Sequence, residues 1–319
     1  MTFEKLSCKG LVEDFENKLK LRIDECTEKF RAPSLAVILV GENPASQTYV
    51  KKKKESCEKL GITHTQITFP EDISEDILVD KIEELNRDDS IDGILVQLPL
   101  PNHINETRVI NSIRVDKDVD GFSPENVGKM MLGQECFLPC TPAGVLEIIK
   151  YFNIDTVGKN VTIFGRSNIV GRPMANLLSQ KPYDANVTVF HSKSPTNDVL
   201  YNLRDSDIII LAVGSPDFFD YKKLNSLLYY NYRNNMTIID VGVNRVSDPT
   251  KKSGFRLCGD LSISDLNDKE EILKDSMQER TLRYTPVPGG VGLTTVMMLM
   301  NNTLEACVRH SGVNYGKQL

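Results

Sequence analysis

Long apolar runs are missing from this chain of 319 residues. The longest, such as Ile208 to Val213 and Val296 to Met300, are far too short to span a bilayer. Positive charge is not in excess either: 38 Lys and Arg stand against 44 Asp and Glu, a net charge of −6. That balance argues against general binding to nucleic acid or to an anionic membrane. None of the seven cysteines (Cys8, Cys26, Cys57, Cys136, Cys140, Cys258 and Cys307) forms a Cys-x-x-Cys pair, and no His sits at zinc-finger spacing. No metal site is expected, and the cysteines read as reduced thiols. The N-terminal stretch carries Glu4 and has neither an apolar h-region nor an Arg-rich segment. The expectation is a cytoplasmic protein without a presequence. Internal repeats and low-complexity tracts are also absent, which argues against a solenoid.

What is present reads as a soluble globular enzyme, 40% hydrophobic and 26% charged, and long enough for two domains. Helical and strand patterns alternate. Val12, Phe15, Leu19, Ile23, Cys26 and Phe30 recur at spacings of three and four, one face of a helix. Leu35 to Val40 is a continuous apolar run ending in Gly41, as a buried parallel strand looks. Residues 44–60 return to helix, with Asn43 as N-cap, Pro44 in the first turn and Gly61 just past the end. Ile91 to Leu98 reads as a second buried strand that stops at Pro99. Thr141-Pro142 starts a helix carrying Val145, Leu146, Ile149 and Phe152, read as the connection between domains. Beyond it lie four apolar strand candidates: Val161 to Phe164, Val187 to Phe190, Ile208 to Val213 and Thr237 to Val241. They predict a doubly wound parallel sheet. Asp217 to Asn235 reads as a helix with an elaborated surface loop, and Val296, Leu299, Met300, Thr303 and Cys307 mark a last helix.

Six segments carry possible chemistry. Gly165-Arg166-Ser167-Asn168-Ile169-Val170-Gly171 lies between a strand and a helix, where backbone N–H groups and a helix N-terminus suit a pyrophosphate. Ser167 and Val170 replace two glycines of the usual fingerprint, so a plain strand-to-helix turn fits equally well on pattern alone. After the second strand stands His191-Ser192-Lys193-Ser194, without the carboxylate that an NAD site places on the ribose 2′-hydroxyl. Arg166 and Ser192, with Lys193, suit a 2′-phosphate instead, so NADP is expected over NAD. Tyr49 and Lys53 are four residues apart on one helical face, although Lys51 to Lys54 also read as a solvated run. Gln97, in Val96-Gln97-Leu98-Pro99, is a polar group at a buried strand's end, either a working group or one satisfying a neighbouring backbone. Asp116-Lys117-Asp118-Val119-Asp120-Gly121 lacks the full EF-hand pattern and reads as a charged turn. Pro286-Val287-Pro288-Gly289-Gly290-Val291-Gly292 is either a close-approach loop for a flat ligand or a turn.

Taken together and in this order, Tyr49-x-x-x-Lys53, Gln97-Leu98-Pro99, Lys117 to Gly121, Pro139-Cys140-Thr141-Pro142, Gly165-Arg166-Ser167 and Pro286 to Gly292 resemble the family of bifunctional methylenetetrahydrofolate dehydrogenase/cyclohydrolases. The resemblance runs from about Leu6 to the final helix. It implies two α/β domains flanking a cleft, the second a Rossmann-type doubly wound parallel sheet. Residues 1–141 would bind folate, with 290–319 returning to them, and residues 142–289 would bind NAD(P). It also implies a homodimer, tetrahydrofolate one-carbon derivatives as substrates, and neither nucleic acid nor membrane as a partner. By that likeness Tyr49 would stack on the folate, Asp120 would hydrogen-bond the pterin, and Lys53 and Gln97 would act at the one-carbon centre. Val50, Lys51, Lys52, Val96, Leu98 and Pro99 would complete the substrate site with Pro288, Gly289, Gly290, Val291 and Gly292. Gly165, Arg166, Ser167, Ser192 and Val243 would contact the cofactor. Leu293-Thr294 departs from the family's usual Pro-Met, Cys8 stands where glycine is common, and Asp217 to Asn235 is longer than usual.

Overall fold

The computed structural model describes residues 2–220, 223, 224, 227, 230, 231, 233, 235–251, 254–262 and 280–312. Its elements begin with β1 (Thr2–Lys5), α1 (Lys9–Lys29), β2 (Ser34–Val40), α2 (Pro44–Leu60), β3 (Thr63–Phe69), α3 (Glu75–Arg87), β4 (Gly93–Val96), α4 (Glu106–Asn111), α5 (Pro124–Met131) and α6 (Cys140–Tyr151). They continue with β5 (Asn160–Phe164), α7 (Gly171–Ser179), β6 (Asn186–Phe190), α8 (Thr196–Leu203), β7 (Ile208–Leu211), β8 (Asn235–Asp240), β9 (Asn244–Ser247), β10 (Phe255–Cys258), β11 (Thr281–Tyr284) and α9 (Val291–Ser311). The chain divides into two compact units, Val12–Ala143 with Thr295–Leu319, and Met1–Leu11 with Gly144–Thr294.

The first of these units is built on a three-stranded parallel sheet in the order β3-β2-β4. Every residue of β2 is buried, because the strand is covered on both faces and its side chains alternate between them. Leu35, Val37 and Leu39 pack with Leu19 and Ile23 of α1, Val50 and Cys57 of α2, and Met300 and Leu304 of α9. Ala36, Ile38 and Val40 face the other way, onto Leu78, Ile82 and Leu85 of α3. The edge strand β3, Thr-His-Thr-Gln-Ile-Thr-Phe, mixes polar with β-branched residues, and its weak apolar signal gives no strand expectation from sequence. The strand expected over Ile91 to Leu98 is shorter, Gly93–Val96, although the Gln97 N–H still donates to Ile38 O at 2.9 Å.

A buried charge cluster closes this unit near the chain's end. Arg31 donates to both oxygens of Asp92, at 2.6 and 2.7 Å, while the Ser34 N–H donates to Oδ2 at 2.9 Å. His310 Nδ1 lies 3.0 Å from Asp92 Oδ1 and its Nε2 lies 3.1 Å from Asp116. Lys117, also buried, donates to the carbonyls of Leu85 (3.0 Å) and Asp88 (2.7 Å) and so caps the C-terminal end of α3.

The other unit carries a six-stranded all-parallel sheet in the order β1-β11-β8-β7-β5-β6. Strand order reverses between β5 and β7, so the sheet is doubly wound and its crevice opens at their carboxyl ends. All four expected strands are present, and β1 and β11 extend the sheet beyond them. β1 therefore groups Met1–Leu11 with this unit, a placement that differs from the expected 1–141 grouping. The cause is backbone pairing that four mixed residues do not advertise: β1 runs parallel to β11, the Leu6 N–H donates to Tyr284 O (2.7 Å), and Cys8 N–H donates to Gly289 O (2.9 Å). Part of the stretch expected as a helix over Asp217 to Asn235 lies outside the described residues.

Asp92 supplies a stability test. Its partners hold its carboxyl below the usual value of 3.8, with His310 and Arg31 outweighing the cost of burial. Asp92→Ala should lower unfolding free energy by about 3 kcal/mol at neutral pH, measured by urea titration. A depressed carboxyl pKa gives stability that is present above the unfolded pKa and lost as pH falls through the folded one. The deficit of the variant should therefore shrink in acid.

Candidate active site

Helix α2 places the first functional groups. The Asn43 side chain accepts from the N–H groups of Ala45 (2.9 Å) and Ser46 (3.2 Å), Pro44 opens the first turn, and Gly61 closes the helix in the left-handed region at φ 84°. Its inward stripe is Ser46, Val50, Lys53, Cys57 and Leu60. Lys53 thus occupies a core position, 9% exposed, while Lys51, Lys52 and Lys54 face solvent. Tyr49, one turn before it, is half-buried.

The ammonium of Lys53 donates to Gln97 Oε1 at 2.9 Å, and Gln97 Nε2 donates to Leu98 O at 2.7 Å. That second bond fixes which end of the amide faces the lysine. Burial drives the Lys53 pKa below the ordinary 10.5, against the opposing attraction of Asp120. Burial likewise lifts the Asp120 carboxyl above 3.8, against the pull of Lys53 and a hydrogen bond from the Cys140 thiol. The Cys140 thiol, buried beside Asp120, is raised well above 9.0 and is a neutral donor rather than a nucleophile. The arrangement is a buried amine that can reach its neutral form near a carboxyl group, suited to moving a proton.

Asp118, two residues from Asp120, has a different task. Its oxygens accept from the N–H groups of Gly121 (3.1 Å), Phe122 (3.2 Å) and Ser123 (2.7 Å) and from Asn126 Nδ2 (2.8 Å). It ties the turn that presents Asp120. Gly121 completes the turn at φ +72°, and a Cβ there would lie 2.6 Å from Phe137 O. Asn302 of α9 donates to Val119 O (2.9 Å) and Leu138 O (3.2 Å), bracing both segments.

The second cluster lies at the carboxyl ends of the six-stranded sheet. Gly165 follows β5 at φ +117°, and a Cβ on it would stand 2.2 Å from Ala212 O. The fingerprint's late glycine is supplied by Gly171, where a Cβ would meet Gly165 O at 2.1 Å. Ser167 Oγ accepts from the N–H groups of Val170 (3.1 Å) and Gly171 (3.4 Å), so it ties the turn leading into α7 where the usual pattern has glycine. Arg166, Ser192 and Val243 are exposed at the ends of β5, β6 and β8. A backbone that approaches this closely at a helix N-terminus fits a dinucleotide pyrophosphate.

The structure brings Tyr49, Lys53, Val96, Gln97, Leu98, Pro99 and Asp120 into one unit, and Gly165, Arg166, Ser167, Ser192 and Val243 into the other. Pro288 to Gly292 belong with the latter. Val50 is directed into the core, and Lys51 faces solvent 3.8 Å from Glu55. Leu293, the departure from Pro, donates its N–H to Gly290 O at 3.0 Å, and Thr294 Oγ1 donates to Val291 O at 2.9 Å. Sequence reasoning gave no individual role to Cys140, Asp118 or Asn302. Cys140 sits in the quoted Pro139 to Pro142 segment, which was its available signal; Asn302 had none.

Two family models match the chain: the tetrahydrofolate dehydrogenase/cyclohydrolase catalytic domain over residues 6–120 and the corresponding NAD(P)-binding domain over residues 139–311. Among curated proteins, the bifunctional protein FolD of Prosthecochloris aestuarii is 44% identical over 304 residues, covering 94% of this chain and 97% of that protein. The FolD protein of Bacteroides fragilis is 45% identical over 278 residues, covering 86% and 88%. Among solved structures, the Campylobacter jejuni FolD methylenetetrahydrofolate dehydrogenase/cyclohydrolase has a TM-score of 0.82 at 40% identity, covering 97% of this chain and 99% of that one. The Trypanosoma brucei dehydrogenase-cyclohydrolase, solved with NADP cofactor and inhibitor, has a TM-score of 0.83 at 31% identity, covering 96% and 98%.

Gly121→Ala tests the turn that carries Asp120. Positive φ and the contact with Phe137 O should together cost about 2 kcal/mol or more, read from denaturant unfolding. Wild-type stability in this variant would mean that the turn is not constrained as described.

Proposed function

The chain belongs to the tetrahydrofolate dehydrogenase/cyclohydrolase family, and from that membership we propose that it oxidises 5,10-methylenetetrahydrofolate with NADP and hydrolyses the resulting 5,10-methenyl cation to 10-formyltetrahydrofolate. The observation that carries the reading is the buried Lys53 amine held 2.9 Å from Gln97 Oε1. A dehydrogenase alone needs no such group, whereas a hydrolase acting on a cation does.

In the first step the task is alignment rather than acid–base work. The Tyr49 ring offers a flat face for the folate, with Asp120 hydrogen-bonding the pterin. Lys52, Val96, Leu98 and Pro99 complete the substrate contacts, Val50 being directed into the core and Lys51 turned to solvent beside Glu55, and Pro288, Gly289, Gly290, Val291 and Gly292 contribute from their own loop. The bound nicotinamide supplies the hydride acceptor. Gly165, Ser167 and Val243 hold that cofactor, and Arg166 with Ser192 binds the 2′-phosphate through charge-assisted bonds. No metal is called for.

In the second step the neutral Lys53 amine takes a proton from the water that attacks the methenyl carbon. As an ammonium it then returns a proton to the ring nitrogen that departs as its C–N bond breaks, while the adduct's hydroxyl proton passes to solvent as the formyl C=O forms, so that one proton is released overall. Gln97 keeps the amine on the reacting side in both states. Burial makes the neutral amine accessible below the ordinary lysine value of 10.5, and a positively charged substrate beside it pushes in the same direction. The same reading has the enzyme acting as a cytoplasmic homodimer. No helix among the described residues is long and apolar enough to cross a membrane.

Lys53→Met should lower cyclohydrolase turnover by about 100-fold or more, the scale of a lost general acid–base group, while hydride transfer persists. In the wild type, hydrolysis should rise with pH as the amine loses its proton, and the variant should lose that limb. Full cyclohydrolase activity in Lys53→Met would remove the amine from the mechanism. Separately, Arg166→Gln should raise the NADP KM by about 10-fold and leave the NAD KM nearly unchanged, since a charged hydrogen bond of about 1.5 kcal/mol is lost only with the phosphate present. Equal effects on both cofactors would contradict the 2′-phosphate assignment.

A further inference from the structure

Two carboxylates under the crevice have no part in the mechanism above. Asp240 ends β8 and Asp260 follows β10, and both are fully buried. Asp260 Oδ2 accepts from the N–H groups of Val213 (2.7 Å) and Gly214 (3.0 Å). Its Oδ1 accepts from the Ser215 N–H (2.9 Å) and from Asn244 Nδ2 (3.0 Å). Asp240 Oδ1 accepts from the N–H groups of Gly242 (2.9 Å) and Asp260 (3.0 Å), and its Oδ2 accepts from Leu261 N–H (2.9 Å). Asp240 is itself located by its own N–H, which donates to Thr285 Oγ1 at 2.8 Å.

The surrounding glycines show how tightly this pair is enclosed. A Cβ on Gly242 would lie 2.1 Å from Asp260 Oδ1, and one on Gly259 would lie 1.8 Å from Asp240 Oδ2. The loops being held are those after β7 and β8, and each lifts one valine into solvent: Val213 is 41% exposed and Val243 is 36% exposed. In a doubly wound sheet the first mononucleotide half of a dinucleotide lies over the β5–β6 side of the crevice and the second over the β7–β8 side.

We propose that Asp260, with Asp240 beneath it, is a positioning residue that sets the Val213–Ser215 and Val241–Asn244 loops in the shape that receives the nicotinamide half of the cofactor. The proposal rests on the dinucleotide reading given above. Three consecutive loop N–H groups share one carboxyl group, so the loop cannot move away without leaving Asp260 buried and unsatisfied. A loop held in this way keeps its backbone path whatever side chains it shows the ring. Burial beside a second carboxyl lifts Asp240 to about 7, a cost tolerated more often at functional sites than in cores.

The test is Asp260→Asn, which keeps the shape but replaces one accepting oxygen with a donor. Binding is read by fluorescence titration with NADPH and by calorimetry with adenosine 2′,5′-bisphosphate, which occupies only the first half. NADPH affinity should fall about 10-fold or more, while adenosine 2′,5′-bisphosphate binds as in the wild type. Unchanged NADPH affinity, or equal weakening of both ligands in a folded protein, would overturn the proposal. Should Asp260→Asn fail to fold, Asn244→Ala removes one bond to the same carboxyl, together with the Asn244 bond to Gly259 O at 3.1 Å, and should weaken NADPH about 3-fold with the bisphosphate again unaffected. Wild-type affinity for NADPH in that variant would likewise overturn it. A wild-type protein that binds neither ligand would instead sink the dinucleotide reading itself.

Discussion

A primary amine held in the inward stripe of a helix is the constraint on which the unit built on the three-stranded sheet depends. Lys53 lies on the face where Val50, Cys57 and Leu60 pack into the core. Charge at such a position costs several kcal/mol unless partners compensate, and the usual outcome is a lowered pKa. Gln97 and Asp120 supply the compensation, one by a hydrogen bond and the other by its field. Neither works if its own element shifts. The helix is therefore capped at both ends by Asn43 and Gly61, and the aspartate turn is braced from inside by Asp118. The catalytic reading and the packing of this unit are one statement seen from two sides.

Much of α2 is legible in the amino-acid sequence. Asn43, Pro44 and Gly61 marked its limits, and the spacing from Tyr49 singled out Lys53 among four lysines. Its burial was harder to see, because a run of lysines resembles a solvated face. The deciding clue is phase: Lys53 alone of the four falls in step with Ser46, Val50, Cys57 and Leu60. By contrast, the two aspartates of the Lys117–Gly121 segment cannot be told apart by pattern. One braces a turn and the other faces the amine, a difference set by Asn126, Ser123 and Cys140 from outside the segment.

In the dinucleotide-binding half, the four strands β5 to β8 announced themselves by apolar runs, whereas β1 and β11 did not. Each is four residues long and mixed in composition, and their placement comes from main-chain pairing that no side-chain pattern encodes. The glycine turn was legible but ambiguous. Its departures resolve once Ser167 is seen tying the turn into α7 and Gly171 is seen packed on Gly165 O. Asp260 was beyond reach, because the N–H groups it gathers are 45 to 47 residues away in the chain.

The two halves hold their geometry by different means, and this bears on how each can change. In one, the proposed chemistry rests on side chains fixed to a helix and a strand end, so the group proposed to react is also a packing group. Lys53 cannot be replaced without altering both. In the other, carboxylates under the loops fix the backbone, and the groups facing outward carry little of the fold: Arg166, Ser192 and Val243 are all exposed. On the proposed 2′-phosphate contact, cofactor preference can therefore drift through Arg166 and Ser192 while the turn and the pinned loops stay as they are. The acid–base role proposed for Lys53 has no such freedom, because moving the amine by one helical position would carry it out of the core stripe and into solvent.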